Sequence, residues 1–297
     1  MPKETINGFE MHYEVRGEGT PVALIHGGFG GISSTLSTRS EPWVPTFLDA
    51  GYQVITYDRR AAHQSDYPED GYTLENFALD LRELLRHLNV ERAHIIGTSG
   101  GGPIAVTYAL HYRETMKSLV LVNTSPALLA EPKAAERMRA RLELLEREGP
   151  EAAYEARREQ PLGMYELVKR RAAEAGVDEV TMARSAGVGQ GNDAQVKRST
   201  REERVRWYAG EVRNYAAYAG VDLTPRLSEL RLPAFIIHGD ADSIVPVKGS
   251  YTLAEHIPNA ELRILEGEEH GLLTRPTEAP AAIVAFLRAL EAGPGAK

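Results

Sequence analysis

The chain has 297 residues, of which 42% are hydrophobic and 26% charged, with a formal net charge of -8 and no cysteine. This composition is typical of a globular protein with one large domain or a domain that carries a sizeable insertion. The negative charge argues against a nucleic-acid partner, and the lack of cysteine excludes disulfides, thiolate metal sites and cysteine nucleophiles.

No apolar stretch has the length of a signal-peptide core or the roughly 18 residues of a membrane span. We therefore expect a cytoplasmic protein that binds a small-molecule substrate and neither nucleic acid nor membrane. The sequence leaves the oligomeric state open, with a homodimer as one option.

Short apolar runs rich in β-branched residues recur along the chain, with helical stretches between them. Such runs are typical of parallel strands that are buried on both faces. Six are present: VALIH (22–26), VITYD (54–58), HIIG (94–97), LVLVN (119–123), FIIHG (235–239) and LRIL (262–265). Near the start, Phe9, Met11, Tyr13 and Val15 alternate with polar residues, which predicts an antiparallel strand at the edge of the sheet.

Helical periodicity appears between the strands and dominates one long segment. The stretches 74–88 and 282–290 each place apolar residues on a single stripe, which predicts helices that cover the sheet. From residue 126 to residue 232 the alternation stops and the sequence becomes helical and charged. We predict a core formed by residues 1–125 and 233–297, with 126–232 inserted as a helical cap over the carboxyl ends of the strands, where open α/β sheets bind ligands.

A glycine-rich turn follows the third predicted parallel strand. Residues 97–101, Gly-Thr-Ser-Gly-Gly, match G-x-S-x-G between a predicted strand and a predicted helix. In this sharp turn small neighbours expose the Ser99 hydroxyl, and Gly100 offers its backbone N–H at a helix amino terminus. Glycine-rich turns of this kind also bind phosphate, so the motif alone leaves both interpretations open.

Three further groups fit a serine nucleophile. The loop His-Gly-Gly-Phe-Gly-Gly at 26–31 follows the first parallel strand. It matches the His-Gly-containing loop that supplies a second backbone N–H to an oxyanion, and we choose Gly28 as that donor. Asp242 follows the strand FIIHG, and His270 lies between the last strand and the last helix. The chain order serine, acid, histidine is that of α/β hydrolases.

Together these motifs resemble the serine hydrolases of the α/β-hydrolase fold that carry a helical cap. The resemblance covers nearly the whole chain and implies an α/β fold with a mostly parallel central sheet flanked by helices. It implies Ser99 as nucleophile, His270 as general base and Asp242 as the carboxylate that orients it, with Asp240 as the alternative acid. The oxyanion hole would be formed by Gly28 and Gly100, and no metal or cofactor is implied.

One loop departs from the family pattern. After the second parallel strand the family commonly has D-x-R-G-x-G-x-S, whereas residues 58–65 read Asp-Arg-Arg-Ala-Ala-His-Gln-Ser. Alanine and histidine stand where glycines are usual, which leaves the backbone path of this loop open. For His63 we favour a packing or solvent-facing role over contact with substrate, and for His94 and His238 a structural role.

Aromatic residues mark the candidate substrate pocket. The segment 207–220, WYAGEVRNYAAYAG, either lines an apolar pocket or packs the cap on the core. Phe29, Trp207 and Tyr215 are the candidates for contact with substrate.

These observations favour a carboxylesterase that hydrolyses a small ester through an acyl-enzyme on Ser99. A lactonase, a carbon-carbon bond hydrolase and a proline iminopeptidase remain alternatives. The loop 26–31 resembles the HGG-P-G-G loop of iminopeptidases, although Phe29 replaces its proline. An alternative of a different class is a noncatalytic small-ligand receptor on the same fold.

Overall fold

The computed structural model describes residues 3–31, 43–157, 172–173, 176 and 198–293. Much of the predicted cap, from 158 to 197 apart from residues 172, 173 and 176, lies outside the described residues.

One sheet organises the described part of the chain. Its strands are Lys3–Ile6 (β1), Phe9–Arg16 (β2), Thr20–Ile25 (β3), Tyr52–Tyr57 (β4), Ala93–Thr98 (β5), Met116–Val122 (β6), Ala234–Gly239 (β7) and Ala260–Leu265 (β8). They are arranged in the order β1-β2-β4-β3-β5-β6-β7-β8. The strands β3 to β8 run parallel, and β2 is antiparallel to both of its neighbours. The predicted mostly parallel α/β sheet is confirmed.

The predicted edge position of the first strand was wrong. The residues that alternate from Phe9 form β2, which is second in the sheet, and β1 is the edge strand. The connection is a two-residue turn, because Ile6 pairs with Phe9 and both Asn7 and Gly8 have positive φ angles. Asn-Gly is the sequence typical of such hairpins, and β1 lacks a hydrophobic pattern because only Ile6 of its four residues is buried.

Helices cover both faces of the sheet. Their bounds are Val44–Asp49 (α1), Leu74–His87 (α2), Gly101–His111 (α3), Pro132–Ala156 (α4), Arg201–Ala216 (α5), Lys248–His256 (α6) and Ala279–Ala292 (α7), with short 3-10 segments at Arg113–Thr115 and Thr224–Glu229. The apolar residues of α1 and α7 pack on one face, and those of α2, α3 and α6 pack on the other. The two predicted sheet-covering helices correspond to α2 and α7.

The helices α4 and α5 come from the predicted cap and pack against each other. The helix α4 bends at Gly149, whose φ is 85°, just before Pro150. The helix α5 begins with a capping box, in which the Thr200 hydroxyl accepts from the Glu203 N–H and the Glu203 carboxylate accepts from the Thr200 N–H. Apolar side chains of both helices belong to the same buried cluster as α2 and α3. The bounds of the cap stay a prediction.

None of the described helices is long and apolar enough to cross a membrane.

Candidate active site

Ser99 lies at the turn between β5 and α3 and has a φ of 49°, in the left-handed region that non-glycine residues rarely adopt. Its N–H donates to the carbonyl of Val122 at 2.9 Å, which fixes the turn to the end of β6. A Cβ at Gly101 would lie 2.2 Å from the Ile25 carbonyl oxygen, so the turn requires glycine there. These are the strained turn and the small neighbours that the G-x-S-x-G motif predicts.

The loops after β7 and β8 bring an acid and a histidine to this serine. His270 Nε2 lies 3.0 Å from Ser99 Oγ, and His270 Nδ1 lies 2.7 Å from Asp242 Oδ2. Because an ionised carboxylate only accepts hydrogen bonds, Nδ1 carries the proton and Nε2 is left to accept the serine proton. The arrangement can therefore abstract a proton from Ser99 as the serine attacks an electrophile.

Asp242 is fully surrounded by donors. Its Oδ1 accepts from the N–H groups of Ile244 and Val245, both at 2.8 Å. Its Oδ2 accepts from Asn123 Nδ2 at 2.6 Å in addition to His270. A buried carboxylate needs such partners to stay ionised.

The same donors set the charge of this acid. Burial alone would raise the pKa of Asp242, but the nearby positive charge of His270 and hydrogen bonds from His238, His270 and the Val245 N–H hold that pKa well below its usual range. Asp242 is thus an anion at neutral pH and stabilises a protonated His270. The alternative acid does not take part, since Asp240 accepts instead from the N–H of Gly267 at 2.7 Å on the exposed surface.

The two predicted oxyanion residues lie side by side. The backbones approach so closely that a Cβ on Gly100 would lie 2.4 Å from the Gly28 carbonyl oxygen. A Cβ on Gly27 would likewise lie 3.0 Å from Ser99 Cβ. Gly100 is the cap residue of α3, where the helix dipole favours negative charge. The loop after β3 and the amino terminus of α3 therefore form one wall beside the serine hydroxyl.

A buried arginine that the sequence did not single out joins these two loops. Arg59 donates from Nη2 to the Gly28 carbonyl at 2.6 Å and from Nη1 to the Tyr218 hydroxyl at 2.9 Å. Tyr218 in turn donates to the Gly100 carbonyl at 2.6 Å. The only sequence signal for Arg59 was its place in the family motif D-x-R-G-x-G-x-S, where it stands at the first unspecified position.

The predicted substrate contacts are largely buried. Phe29 stacks on Tyr215 with ring centroids 4.1 Å apart and meets Tyr218 edge-on at 4.9 Å. Phe29, Trp207 and Tyr215 are 7%, 8% and 5% exposed. Phe29 and Tyr215 thus pack α5 on the core, and their contact with substrate stays a prediction, as does that of Trp207.

The unusual loop 58–65 keeps a glycine-like backbone without glycine. Ala61 and His63 have φ angles of 54° and 39°, and the loop is bonded to Gly31 through the pairs Gly31 N–H to Ala61 carbonyl (2.6 Å) and His63 N–H to Gly31 carbonyl (3.0 Å). His63 Nδ1 lies 3.6 Å from Asp58 Oδ2, so the side chain packs within the loop. The loop 58–65 is therefore bonded to the end of the loop 26–31, which carries the predicted oxyanion residue Gly28.

The two strand histidines differ. His94 contacts Ser118 Oγ at 2.7 Å and Glu291 Oε1 at 3.4 Å, which is a structural role. His238 contacts Ser250 Oγ at 2.6 Å and also lies 3.1 Å from the carboxylate of Asp242. His238 is thus a buried residue with several polar partners, one of which is the predicted acid. In the described part of the chain no group of three or more His, Asp or Glu side chains could hold a metal ion.

A family model described as the alpha/beta hydrolase fold matches residues 20–276. The chain belongs to the alpha/beta hydrolase fold family.

A relative is the non-heme chloroperoxidase of Kitasatospora aureofaciens, 28% identical over 285 residues that cover 92% of each chain. A proline iminopeptidase of Lactobacillus delbrueckii subsp. bulgaricus is 26% identical over 271 residues, 88% of each chain. A thermophilic esterase from Thermogutta terrifontis has the same fold, with a TM-score of 0.69 at 24% identity over 98% of this chain and 99% of that chain. By its family and its relatives, this protein is a hydrolase.

Proposed function

We propose that this alpha/beta hydrolase is a serine hydrolase that cleaves small carboxylic esters through an acyl-enzyme on Ser99. The observation that carries the proposal is the hydrogen-bond chain from Ser99 Oγ through His270 to Asp242, with separations of 3.0 and 2.7 Å. That chain holds a nucleophile, a base and an orienting acid in the relation that acyl transfer needs.

In the first half of the reaction Ser99 Oγ attacks the ester carbonyl carbon while His270 Nε2 takes the hydroxyl proton. The carbonyl oxygen becomes an oxyanion, which the N–H groups of Gly28 and Gly100 stabilise. The loss of one such donor costs about 2.7–4 kcal/mol of transition-state stabilisation in a well-studied protease. His270 then gives the proton to the leaving alcohol as the carbon-oxygen bond breaks.

In the second half water repeats the attack on the acyl-enzyme. His270 takes a proton from the water, the carboxylic acid leaves, and Ser99 regains its proton. Asp242 keeps the imidazole in one tautomer and compensates its positive charge in both halves.

The test is hydrolysis of p-nitrophenyl esters from acetate to decanoate, with the Ser99→Ala variant measured beside the parent. We expect turnover on the short esters that disappears in the variant, and the fall of activity with chain length would measure the depth of the acyl site. A folded parent protein that hydrolyses no ester would contradict the ester proposal. Stoichiometric binding of a ligand without turnover would favour the receptor alternative.

A proline iminopeptidase activity is the second candidate. The helix α5 brings Glu211 to the loop after β3, where a Cβ on Gly31 would lie only 2.7 Å from Glu211 Oε1. A carboxylate at this place suits a substrate amino group. One relative is also a proline iminopeptidase. Release of nitroaniline from L-proline p-nitroanilide, lost in Glu211→Gln, would favour this activity over ester hydrolysis.

A further inference from the structure

The segment that follows β6 contacts the nucleophile turn through a side chain to which no sequence motif points. Thr124 is 1% exposed, and its hydroxyl donates to the carbonyl of Ser99 at 2.7 Å. The same carbonyl also accepts the N–H of Gly102 at 2.9 Å. Ser99 is therefore held from its carbonyl side as well as through its own N–H.

This contact acts on the peptide group that carries the proposed oxyanion donor. The carbonyl of Ser99 and the N–H of Gly100 belong to one peptide unit, which is planar and trans, so the two bonds point in opposite directions. A donor that fixes the carbonyl fixes the direction of the N–H. It also polarises the peptide, which strengthens the N–H as a donor.

The third glycine after Ser99, Gly102, makes this approach possible. A Cβ at Gly102 would lie 2.0 Å from Thr124 Oγ1, a distance that no side chain could occupy. The motif G-x-S-x-G ends at Gly101 and does not explain this glycine. The close approach of Thr124 does.

The other proposed donor has the same arrangement. The N–H of Gly28 shares its peptide unit with the carbonyl of Gly27, which lies 2.8 Å from His26 Nδ1. Since that carbonyl only accepts, Nδ1 carries the proton, and Nε2 accepts the N–H of Arg59 at 3.2 Å. Each oxyanion peptide is thus bound from behind by a buried side-chain donor.

We infer that Thr124 is a positioning residue that orients and polarises the Gly100 N–H toward the oxyanion. The inference rests on the proposed function, because it requires a reaction in which Ser99 is the nucleophile. Its consequence is specific to the transition state, since the N–H gains most from polarisation when the substrate oxygen carries a full charge.

The test compares Thr124→Val, which keeps the shape and removes the hydroxyl, with Thr124→Ser, which keeps the hydroxyl and removes the methyl group. Two readouts are used: kcat and KM on p-nitrophenyl acetate, and the rate at which a fluorophosphonate labels Ser99, followed by intact mass. In labelling, Ser99 Oγ attacks phosphorus, fluoride leaves and His270 takes the hydroxyl proton, so no ester substrate is needed.

We expect Thr124→Val to lower kcat and the labelling rate about tenfold, less than the 10²–10³ that follow loss of a whole donor, with KM changed less than twofold. Thr124→Ser should keep both rates. Equal losses in the two variants, with melting temperatures preserved, would show a packing role and overturn the inference, as would an unaffected Thr124→Val. A parent protein that neither hydrolyses esters nor takes the label would overturn the proposed function and this inference with it.

Discussion

Asn123 and Thr124 are adjacent in the chain, yet their side chains bind opposite ends of the proposed catalytic array. Thr124 donates to the carbonyl of Ser99, and Asn123 donates to the carboxylate of Asp242. The backbone of Asn123 has a φ of 46°, a conformation that asparagine tolerates better than most residues. With this backbone its side chain contacts Asp242, whereas that of Thr124 contacts Ser99. Two residues directly after β6 thus help to set the separation between Ser99 and Asp242.

The contact between Asn123 and Asp242 makes a prediction about pH. Asn123→Asp is nearly isosteric but replaces an N–H donor 2.6 Å from Asp242 Oδ2 with a second carboxylate. Two carboxylates at this distance share a proton, which raises one pKa. We expect kcat to fall about tenfold at neutral pH and the acidic limb of the kcat profile to move to higher pH, measured from pH 5 to 9 on p-nitrophenyl acetate.

The matched control is Asn89→Asp. Asn89 also has a positive φ, 56°, but lies exposed between α2 and the start of β5, whereas Ser99 follows the end of that strand. This variant should keep the parent profile. An Asn123→Asp profile equal to the parent's would show that Asn123 does not affect the charge of Asp242.

The sequence contained signals for some site residues and none for others. Ser99, Asp242 and His270 stand in local motifs or directly after predicted strands, and the structure brings these three together as the chain order predicts. Thr124, Asn123 and Arg59 act through partners that are distant in the chain, such as Asp242 at 119 residues from Asn123. Their types occur in ordinary loops, so only tertiary structure distinguishes them.

At the scale of elements, the loop after β4 joins the sheet to a helix. Arg60, in the loop after β4, binds both oxygens of Asp80 on α2 at 2.8 and 2.7 Å. Both side chains are buried, and the guanidinium also lies 4.7 Å from the ring of Phe9 on β2. The ion pair therefore anchors the loop 58–65 to α2.

Loss of one partner of this ion pair should be costly. We expect Arg60→Met to lower the free energy of unfolding by about 3–5 kcal/mol, because Asp80 is left as a buried charge without its cation. The double variant Arg60→Met with Asp80→Leu should recover most of that loss, since neither charge then remains buried. Urea unfolding of the parent and the variants measures both effects. A double variant as unstable as the sum of its single variants would contradict this account.

The elements themselves were predictable to different degrees. The parallel strands stand out as short apolar runs, and the helices α2 and α7 as apolar stripes with helical periodicity. Both kinds of element occur within a few residues of their predicted bounds. The strand β1 was missed because it is short and largely polar. The backbone of the loop 58–65 could not be predicted, because Ala61 and His63 adopt left-handed angles that only their tertiary partners stabilise.

At the scale of the whole molecule, buried carboxylates connect stability to pH. Burial alone would raise the pKa of Asp58, but the hydrogen bond from His12 and the proximity of His63 hold that pKa well below its usual range. The pKa of Asp242 is lowered as well. A group whose folded pKa lies below its unfolded value of about 3.9 contributes stability that is complete above that pH and is lost as the pH falls.

We therefore expect the melting temperature to vary little above about pH 5 and to fall steeply below about pH 4, as the unfolded chain binds protons that the folded carboxylates do not.

The variant His12→Gln tests the contribution of Asp58, because His12 Nδ1 lies 3.0 Å from Asp58 Oδ2 and is buried with it. Its melting temperature should be lower than the parent's at pH 7, since the buried carboxylate loses a partner. The difference should narrow as the pH falls through the pKa of Asp58 in the folded variant, which lies above that in the folded parent because the hydrogen bond from His12 is missing. Below that pH the folded variant binds a proton that the folded parent does not, whereas the two unfolded chains titrate alike. Calorimetric scans at intervals of half a pH unit measure this difference in melting temperature. A difference that stays constant down to pH 3 would show that the acid sensitivity arises outside the contact between His12 and Asp58.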